Sequence, residues 1–131
     1  MAGLKNMLVV EDDPSIRDMY KIVLANNRYT VEVADSAEEM YAKLKDFHPD
    51  VIFLDVMLPN KSGLEILKDL RTNPELGCET AKIIILTNLA QRSVADNAIE
   101  NGADGFIIKA DILPKDLPTI IESLEEDTEA R

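Results

Sequence analysis

Five short apolar runs alternate along this chain with segments that have the spacing of amphipathic helices. The runs occupy residues 7–10, 30–34, 51–54, 82–86 and 105–109. Four of them are almost continuously apolar, which is typical of strands buried on both faces of a parallel sheet. The run "TVEVA" at 30–34 alternates instead and is predicted to lie at a sheet edge. Five repeats of strand then helix predict an α/β domain with one open sheet and helices on both faces.

Helix start signals support this alternation. Asp13 with Pro14 fits an N-cap followed by proline in the first turn, and Ser36 with Glu39 has the spacing of a capping box, as does Ser62 with Glu65. In the last segment, Asp116 is the predicted N-cap and Pro118 lies in the first turn. The predicted buried faces are Ile16, Met19, Tyr20, Val23 and Leu24; Met40, Leu44 and Phe47; Leu64, Leu67 and Leu70; and Ile120, Ile121 and Leu124.

Composition narrows the class of protein. The chain has 131 residues, enough for one domain, and its 14 Lys plus Arg against 25 Asp plus Glu give a net charge of −11. This charge argues against a nucleic-acid surface and against binding to anionic membranes. Without a signal-peptide core or an apolar run of membrane length, a cytoplasmic protein is expected. Cys78 stands alone, so it is expected to be a free thiol in a loop.

Polar residues follow the predicted strands at their carboxyl ends, where open α/β sheets bind ligands. The first run is followed by Glu11, Asp12 and Asp13, and the third by Asp55. If the first and third strands are neighbours, about 4.8 Å apart, Asp12 and Asp55 lie within a few ångströms. Two carboxylates about 4 Å apart repel by roughly 4 kcal/mol at an effective dielectric near 20. Such a cluster of oxygen ligands favours a hard divalent cation such as Mg²⁺.

The fourth and fifth runs add two further groups to this edge. Thr87 offers a hydroxyl and Lys109 a positive charge. A carboxylate nucleophile, a metal, a lysine and a hydroxyl are the parts that phosphoryl transfer requires. Asp55 is therefore a candidate phosphoacceptor, with Pro59 and Gly63 shaping the adjacent turn. Alone, Asp55 is equally compatible with a turn residue, and Asp13 is better explained as an N-cap than as a ligand.

Four segments, "LVVEDDPSIR", "PDVIFLDVMLPNKSGLEIL", "IIILTN" and "NGADGFIIKA", resemble a response-regulator receiver domain in order and spacing. The resemblance covers nearly the whole chain. It implies a CheY-like, flavodoxin-like (βα)5 fold with a five-stranded parallel sheet in the order 2-1-3-4-5. Residues 1–126 then form the receiver domain, expected to be stand-alone, and residues 127–131 form an acidic C-terminal tail.

The resemblance also implies roles at the acidic site. Asp55 matches the residue that becomes an aspartyl phosphate. Asp12 and Asp55 match direct metal ligands, together with the backbone carbonyl of Met57, and Glu11 acts in the outer shell through water. The metal is Mg²⁺, with Mn²⁺ as a substitute, and no organic cofactor is implied.

Thr87 and Lys109 match the switch hydroxyl and the phosphate-binding lysine. Phe106 matches an aromatic residue whose rotamer reports phosphorylation, although a plain core residue is equally compatible with it. The side chains of Met57 and Leu89 lie beside the site, where they either tune dephosphorylation or form a hydrophobic rim.

The implied activity is that of a switch which catalyses only its own phosphorylation and dephosphorylation. The phosphoryl donor is a sensor histidine kinase or a histidine phosphotransfer protein. The surface made by the fourth helix, fifth strand and fifth helix then binds a downstream protein partner or a second copy of the chain. Nucleic acid and membrane are not expected partners.

Three departures from the family pattern affect this interpretation. Ala110 follows Lys109 where the family usually has a cis proline. A cis bond before a non-proline residue costs about 3–4 kcal/mol, so the sequence leaves open whether this peptide is cis, or trans with the next loop redrawn. Asn88 replaces a small residue and narrows access to Asp55 or adds a hydrogen bond. Phe106 replaces the more frequent tyrosine. The first two keep open an alternative function, a phosphorylation-independent protein-binding module.

Two other classes fit less well. A haloacid-dehalogenase-type enzyme needs a second aspartate two positions after the nucleophile, and Met57 occupies that position. A flavodoxin-like FMN carrier needs a phosphate loop after the first strand, where the acidic "EDDPS" repels phosphate. No glycine-rich motif for dinucleotides or nucleoside triphosphates is present.

Overall fold

The computed structural model describes residues 4–88 and 92–129. Within these residues, strands and helices alternate as the sequence predicts. The strands are β1 Asn6–Val10, β2 Thr30–Ala34, β3 Val51–Asp55, β4 Lys82–Thr87 and β5 Gly105–Ile108. The α-helices are α1 Pro14–Asn26, α2 Ala37–Lys43, α3 Gly63–Thr72, α4 Arg92–Glu100 and α5 Leu117–Glu129.

The five described strands form one parallel sheet in the order β2-β1-β3-β4-β5. This confirms the predicted fold class, strand order and edge position of "TVEVA". Register is set by pairs such as Val10 with Leu54 and Leu54 with Ile85. Because all the strands run the same way, the residues that follow β1, β3, β4 and β5 meet at one edge, called the carboxyl edge below.

Two apolar cores lie on the two faces of the sheet, because successive strand residues point to opposite faces. In β1, Met7 and Val9 belong to one core, and Leu8 and Val10 belong to the other. The first core is covered by apolar side chains of α1 and α5. Side chains of α2, α3 and α4 cover the second.

The helix caps follow the sequence signals. The Asp13 carboxylate accepts hydrogen bonds from the N–H groups of Ser15 and Ile16, at 2.8 and 3.3 Å. The hydroxyls of Ser36 and Ser62 accept from the N–H groups three residues ahead. α5 begins at Leu117 with Pro118 in its first turn, while the Asp116 carboxylate accepts from the Leu113 N–H at 2.9 Å and closes the preceding 3₁₀ turn.

Some local predictions need correction. Met19 was expected on the buried face of α1, yet 47% of it is exposed, because the stripe that packs on the sheet runs through Tyr20 and Leu24. β5 ends at Ile108, so Lys109 begins a 3₁₀ turn rather than closing the strand. Cys78 is a free thiol in a loop, as predicted, but it is fully buried.

The helix α5 continues to Glu129, into the segment 127–131 that the sequence assigns to a tail. The division into a receiver domain at 1–126 and a tail therefore stays a prediction. None of the helices in the described ranges is long and apolar enough to cross a membrane.

Candidate functional site

Three carboxylates meet at the carboxyl edge of the sheet. Asp55 is the last residue of β3, and Glu11 and Asp12 directly follow β1. Since Val10 pairs with Leu54, the two chain segments leave the sheet side by side. Each of the three residues offers one oxygen that lies within 4.8 Å of the other two. The predicted approach of Asp12 and Asp55 is confirmed.

Burial makes this cluster costly without a counter-ion. Glu11 is fully buried and Asp55 is 2% exposed, whereas Asp12 faces solvent. Removing ionised carboxylates from water disfavours the charged form unless opposite charge or hydrogen bonds compensate. Three oxygen ligands without histidine or thiolate suit a hard cation. The donor set therefore fits Mg²⁺ or Mn²⁺.

Lys109 brings the opposite charge to this cluster. Its ammonium lies 2.7 Å from Glu11 Oε1 and 3.1 Å from Asp55 Oδ2. Burial lowers the pKa of Lys109, but the contacts with Glu11 and Asp55 outweigh it and leave that pKa raised. One ammonium facing three carboxylates leaves an excess of negative charge, and that excess favours a divalent cation.

Glu11 responds most to this environment. Its pKa is raised to about 7, first by desolvation and second by the adjacent Asp55, while the contact with Lys109 lowers it. Its second oxygen accepts a hydrogen bond from the Asp13 N–H at 3.2 Å. Without a metal, Glu11 therefore carries a proton for part of the time near neutral pH.

The loop after β3 orients Asp55. Its Oδ1 accepts a hydrogen bond from the Met57 N–H at 2.9 Å, so one oxygen faces this loop while Oδ2 faces Lys109. The Gly63 N–H donates to the Val56 carbonyl at 3.0 Å and closes the loop. A Cβ at Gly63 would lie 2.6 Å from the carbonyl oxygen of Asp55, so only glycine permits this closure. The Met57 side chain is 61% exposed, and the metal role of its carbonyl stays a prediction.

Thr87 and Phe106 link the carboxyl edge to the last strand. Thr87 is buried at the end of β4, and its hydroxyl donates to the Asn88 carbonyl at 3.2 Å. Phe106 pairs with Ile85 across β4 and β5 and packs, partly buried, against the core under α2, α3 and α4. The structure thus does not bring Phe106 into the acidic cluster, and its switch role stays a prediction.

The departures from the family pattern have structural outcomes. The described residues contain no cis peptide bond, so the Lys109–Ala110 peptide, which the sequence left open, is trans, and it opens the 3₁₀ turn Lys109–Asp111. Asn88 is exposed at the end of β4. Leu89, predicted to lie beside the site, lies outside the described residues.

Two residues of α1 support the site and were missed in the sequence. The guanidinium of Arg17 donates to the Glu11 carbonyl at 3.1 Å. Tyr20 is buried, and its pKa is raised by that burial first and by the charge of Glu11 second. The sequence did contain a signal for them: Arg17 and Tyr20 lie four and seven positions after the Asp13 cap. Residues one and two turns further along a helix lie on the same face.

Comparison with known proteins settles the family. The family model of the response regulator receiver domain matches residues 7–122. The chain belongs to the response regulator receiver family. The prediction made from the four sequence segments is confirmed, and a receiver domain of a two-component response regulator takes precedence over the dehalogenase and FMN-carrier interpretations.

Relatives in full-length regulators share this receiver domain. The transcriptional regulatory protein DltR of Streptococcus agalactiae is 38% identical over 103 residues, covering 79% of this chain and 44% of DltR. The DNA-binding response regulator MtrA of Mycolicibacterium smegmatis is 29% identical over 113 residues, covering 86% of this chain and 47% of MtrA. This chain therefore spans a little under half the length of these relatives.

A solved structure agrees with the fold in detail. The chemotaxis response regulator CheY4 of Vibrio cholerae superposes with a TM-score of 0.80 at 28% identity. The match covers 92% of this chain and 98% of the CheY4 chain. The whole fold is thus common to the two chains.

Proposed function

We propose that this receiver domain is a Mg²⁺-dependent switch in which Asp55 accepts a phosphoryl group. The donor is the phosphohistidine of a sensor histidine kinase or of a histidine phosphotransfer protein. The observation that carries the proposal is the convergence of Glu11, Asp12 and Asp55 within 4.8 Å, with Lys109 in contact with two of them. A cluster this acidic has no stabilising role by itself, since like charges repel.

The residues for the metal follow from the donor set. Asp12, Asp55 and the Met57 carbonyl would hold Mg²⁺ directly, Glu11 would hold it through water, and Mn²⁺ would substitute. When bound, the ion supplies positive charge that offsets the carboxylates and the oxygens of the incoming phosphoryl group. Glu11 then loses the proton that it keeps near neutral pH, because a cation favours the ionised form.

The chemical step is an in-line displacement. An oxygen of Asp55 attacks phosphorus, so that a P–O bond forms while the P–N bond to histidine breaks and the imidazole leaves with the electron pair. The Lys109 ammonium, already 3.1 Å from Asp55 Oδ2, neutralises a phosphoryl oxygen. Attack by water later breaks the new P–O bond, releases inorganic phosphate and restores Asp55. The domain therefore catalyses only reactions of its own side chain.

The response follows from Thr87 at the end of β4. We infer that its hydroxyl turns from the Asn88 carbonyl toward the phosphoryl group, and that Phe106 follows it inward. This biases an equilibrium on the surface formed by α4, β5 and α5. Ile99 of α4 is 40% exposed, so that helix presents an apolar side chain to solvent.

The partner of this surface is a downstream protein or a second copy of the chain. The net charge of −11 supports a protein rather than nucleic acid or anionic membrane as the target of these 131 residues. A cytoplasmic location is part of the same proposal, and the single cysteine, Cys78, is consistent with a reducing compartment. DNA binding, named for MtrA, is a property of that protein.

The test is an intact-mass measurement after incubation with Mg²⁺ and a small donor, acetyl phosphate or phosphoramidate. We expect one phosphoryl group per chain, lost with EDTA and in Asp55→Asn. Asp46→Asn is the matched control, because Asp46 is an exposed aspartate beyond the end of α2. Modification that persists in Asp55→Asn would refute the assignment. Absence of both modification and Mg²⁺ binding would favour the phosphorylation-independent module.

A further inference from the structure

A second polar network lies beside the site and includes the loop that follows Asp55. The ammonium of Lys61 lies 2.7 Å from Asp69 Oδ2 and 2.9 Å from the Tyr41 hydroxyl. That hydroxyl donates to the same oxygen of Asp69 at 2.5 Å. Lys61 Nζ also lies 5.0 Å from the centroid of the Tyr41 ring. We call these three residues the Lys61 network.

The Lys61 network joins three separate parts of the fold. Tyr41 lies in α2, Asp69 lies in α3, and Lys61 lies in the loop 56–62 between Asp55 and α3. Three mutual contacts restrict a lysine side chain more than one exposed ion pair does, because each group orders the other two. The hydrogen bonds of Asp69 and Tyr41 raise the pKa of Lys61, which keeps it charged.

The first half of the loop 56–62 is anchored by the buried side chains of Val56 and Leu58, which belong to the core under α2, α3 and α4. The Met57 N–H donates to Asp55 at one end, and the Gly63 N–H donates to Val56 at the other. Between them, Asn60 adopts φ of 69°, a left-handed conformation that a non-glycine residue rarely adopts. In the second half of the loop, the side chain of Lys61 supplies polar contacts to α2 and α3.

We propose that Lys61, held by Tyr41 and Asp69, is a positioning residue that fixes the loop 56–62 for cation binding at Asp55. The inference rests on the proposed function, because that function assigns the Met57 carbonyl of this loop to the metal. Lys61 contacts neither the metal nor the phosphoryl group. It acts by restricting the loop to few conformations before the cation binds, so that less conformational entropy is lost on binding.

The variants remove one group each from the full chain. Lys61→Met removes the charge at similar length, Tyr41→Phe removes the hydroxyl but keeps the ring, and Lys61→Arg keeps the charge. Lys43→Met is the matched control, because Lys43 makes one ion pair of 2.8 Å with Glu32 and neither residue belongs to the loop 56–62. Mg²⁺ alone is the probe, and its Kd is measured by calorimetric titration.

We expect Lys61→Met to raise the Kd for Mg²⁺ about threefold to tenfold. Loss of a residue that hydrogen-bonds directly to a metal ligand typically raises the Kd by about 10- to 100-fold, and Lys61 acts less directly. Tyr41→Phe gives a smaller rise, Lys61→Arg restores most of the affinity, and Lys43→Met leaves it unchanged. Adding Tyr41→Phe to Lys61→Met gives no further rise, because both act through one network.

A second readout needs no metal. In EDTA, amide hydrogen exchange of the loop 56–62 should accelerate in Lys61→Met and stay unchanged in Lys43→Met. If the ion pair of Lys61 contributed only to overall stability, as that of Lys43 does, the exchange rates of this loop would change alike in the two variants.

The outcomes separate the two proposals. If the wild type takes a phosphoryl group on Asp55 while Lys61→Met keeps the wild-type Kd and exchange rates, the positioning role is overturned and the proposed function stands. A wild type that binds no Mg²⁺ overturns both.

Discussion

The two edges of the sheet use aspartate in opposite ways. At the amino edge, where the strands begin, Asp50 accepts hydrogen bonds from the N–H groups of Lys5 and Asn6, each at 2.9 Å. Asp104 accepts from the Ile83 N–H and from Arg71, each at 2.8 Å. At the carboxyl edge, by contrast, Asp55 and Glu11 share one lysine and lie against each other.

The direction of the parallel strands explains this difference. Strands that begin at an edge present free N–H groups, and carboxylates accept hydrogen bonds from them. Strands that end at an edge present carbonyl groups, which are acceptors themselves and cannot donate to a carboxylate. An aspartate at the amino edge is therefore satisfied by the fold itself. At the carboxyl edge, Asp55 receives a backbone hydrogen bond only on Oδ1, from the loop that follows it, and its other oxygen faces the ammonium of Lys109. The same residue type is structural at one edge and chemically available at the other.

The largest effect on stability is expected at the amino edge. Arg71 donates to the carbonyls of Ala81 and Gly102, at 2.7 and 2.9 Å, besides its ion pair with Asp104. Arg71→Met should lower the free energy of unfolding by about 3 kcal/mol, because it removes the counter-ion of Asp104 and the side-chain donor of several carbonyls. Urea unfolding measures this loss.

The Kd for Mg²⁺ should stay unchanged in Arg71→Met, since the two edges are separate. The more exposed ion pair between Lys43 and Glu32 provides the reference. Lys43→Met should lower the free energy of unfolding by less than about 1 kcal/mol. Equal losses in the two variants would contradict the structural role of the amino edge.

The next effect is a pH dependence at the carboxyl edge. Glu11 keeps its proton to about pH 7 in the metal-free fold, compared with an ordinary pKa of 4.5. Between these values the folded state binds more protons than the unfolded state, so stability falls as pH rises through this window.

Glu11→Gln in EDTA should flatten this dependence and be more stable than the wild type above pH 7. Urea unfolding at a series of pH values provides the comparison. Identical slopes for the two proteins would show that burial does not perturb Glu11.

Cation binding should offset the repulsion between the carboxylates at the carboxyl edge. Mg²⁺ at about ten times its Kd should raise the free energy of unfolding by about 1.4 kcal/mol, if the unfolded chain does not bind it. Asp12→Asn removes one ligand and should lose most of this gain at the same Mg²⁺ concentration. Thermal or urea unfolding with and without EDTA measures both values, and equal gains would exclude Asp12 as a ligand.

The smallest effect distinguishes two adjacent aspartates. Asp13 caps α1 through the N–H groups of Ser15 and Ile16, whereas Asp12 faces solvent within the acidic cluster. Asp13→Ala should cost about 1 kcal/mol and leave the Kd for Mg²⁺ unchanged. Asp12→Ala should weaken Mg²⁺ binding without loss of stability in EDTA. Measurement of both quantities in both variants tests the assignment, and interchanged effects would reverse the two roles.

Much of the site was predictable because local signals place its residues. The apolar runs end immediately before Glu11, Asp55 and Thr87, and the direction of the sheet brings such ends together. Contacts across helices were not predictable in this way. Tyr41 and Asp69 are 28 positions apart, and nothing in the spacing of either indicates that they meet at Lys61.

Local sequence patterns were enough to predict the alternation of strands and helices, the caps at Asp13 and Ser36, and the edge position of β2. These features depend on periodicity and on side chains within a few residues of each other. The position of Lys109 between Glu11 and Asp55, and the exposure of Met19, became clear only in the folded chain. Both outcomes depend on how elements far apart in the chain pack together, because packing sets the distances between charges and the surface that solvent reaches.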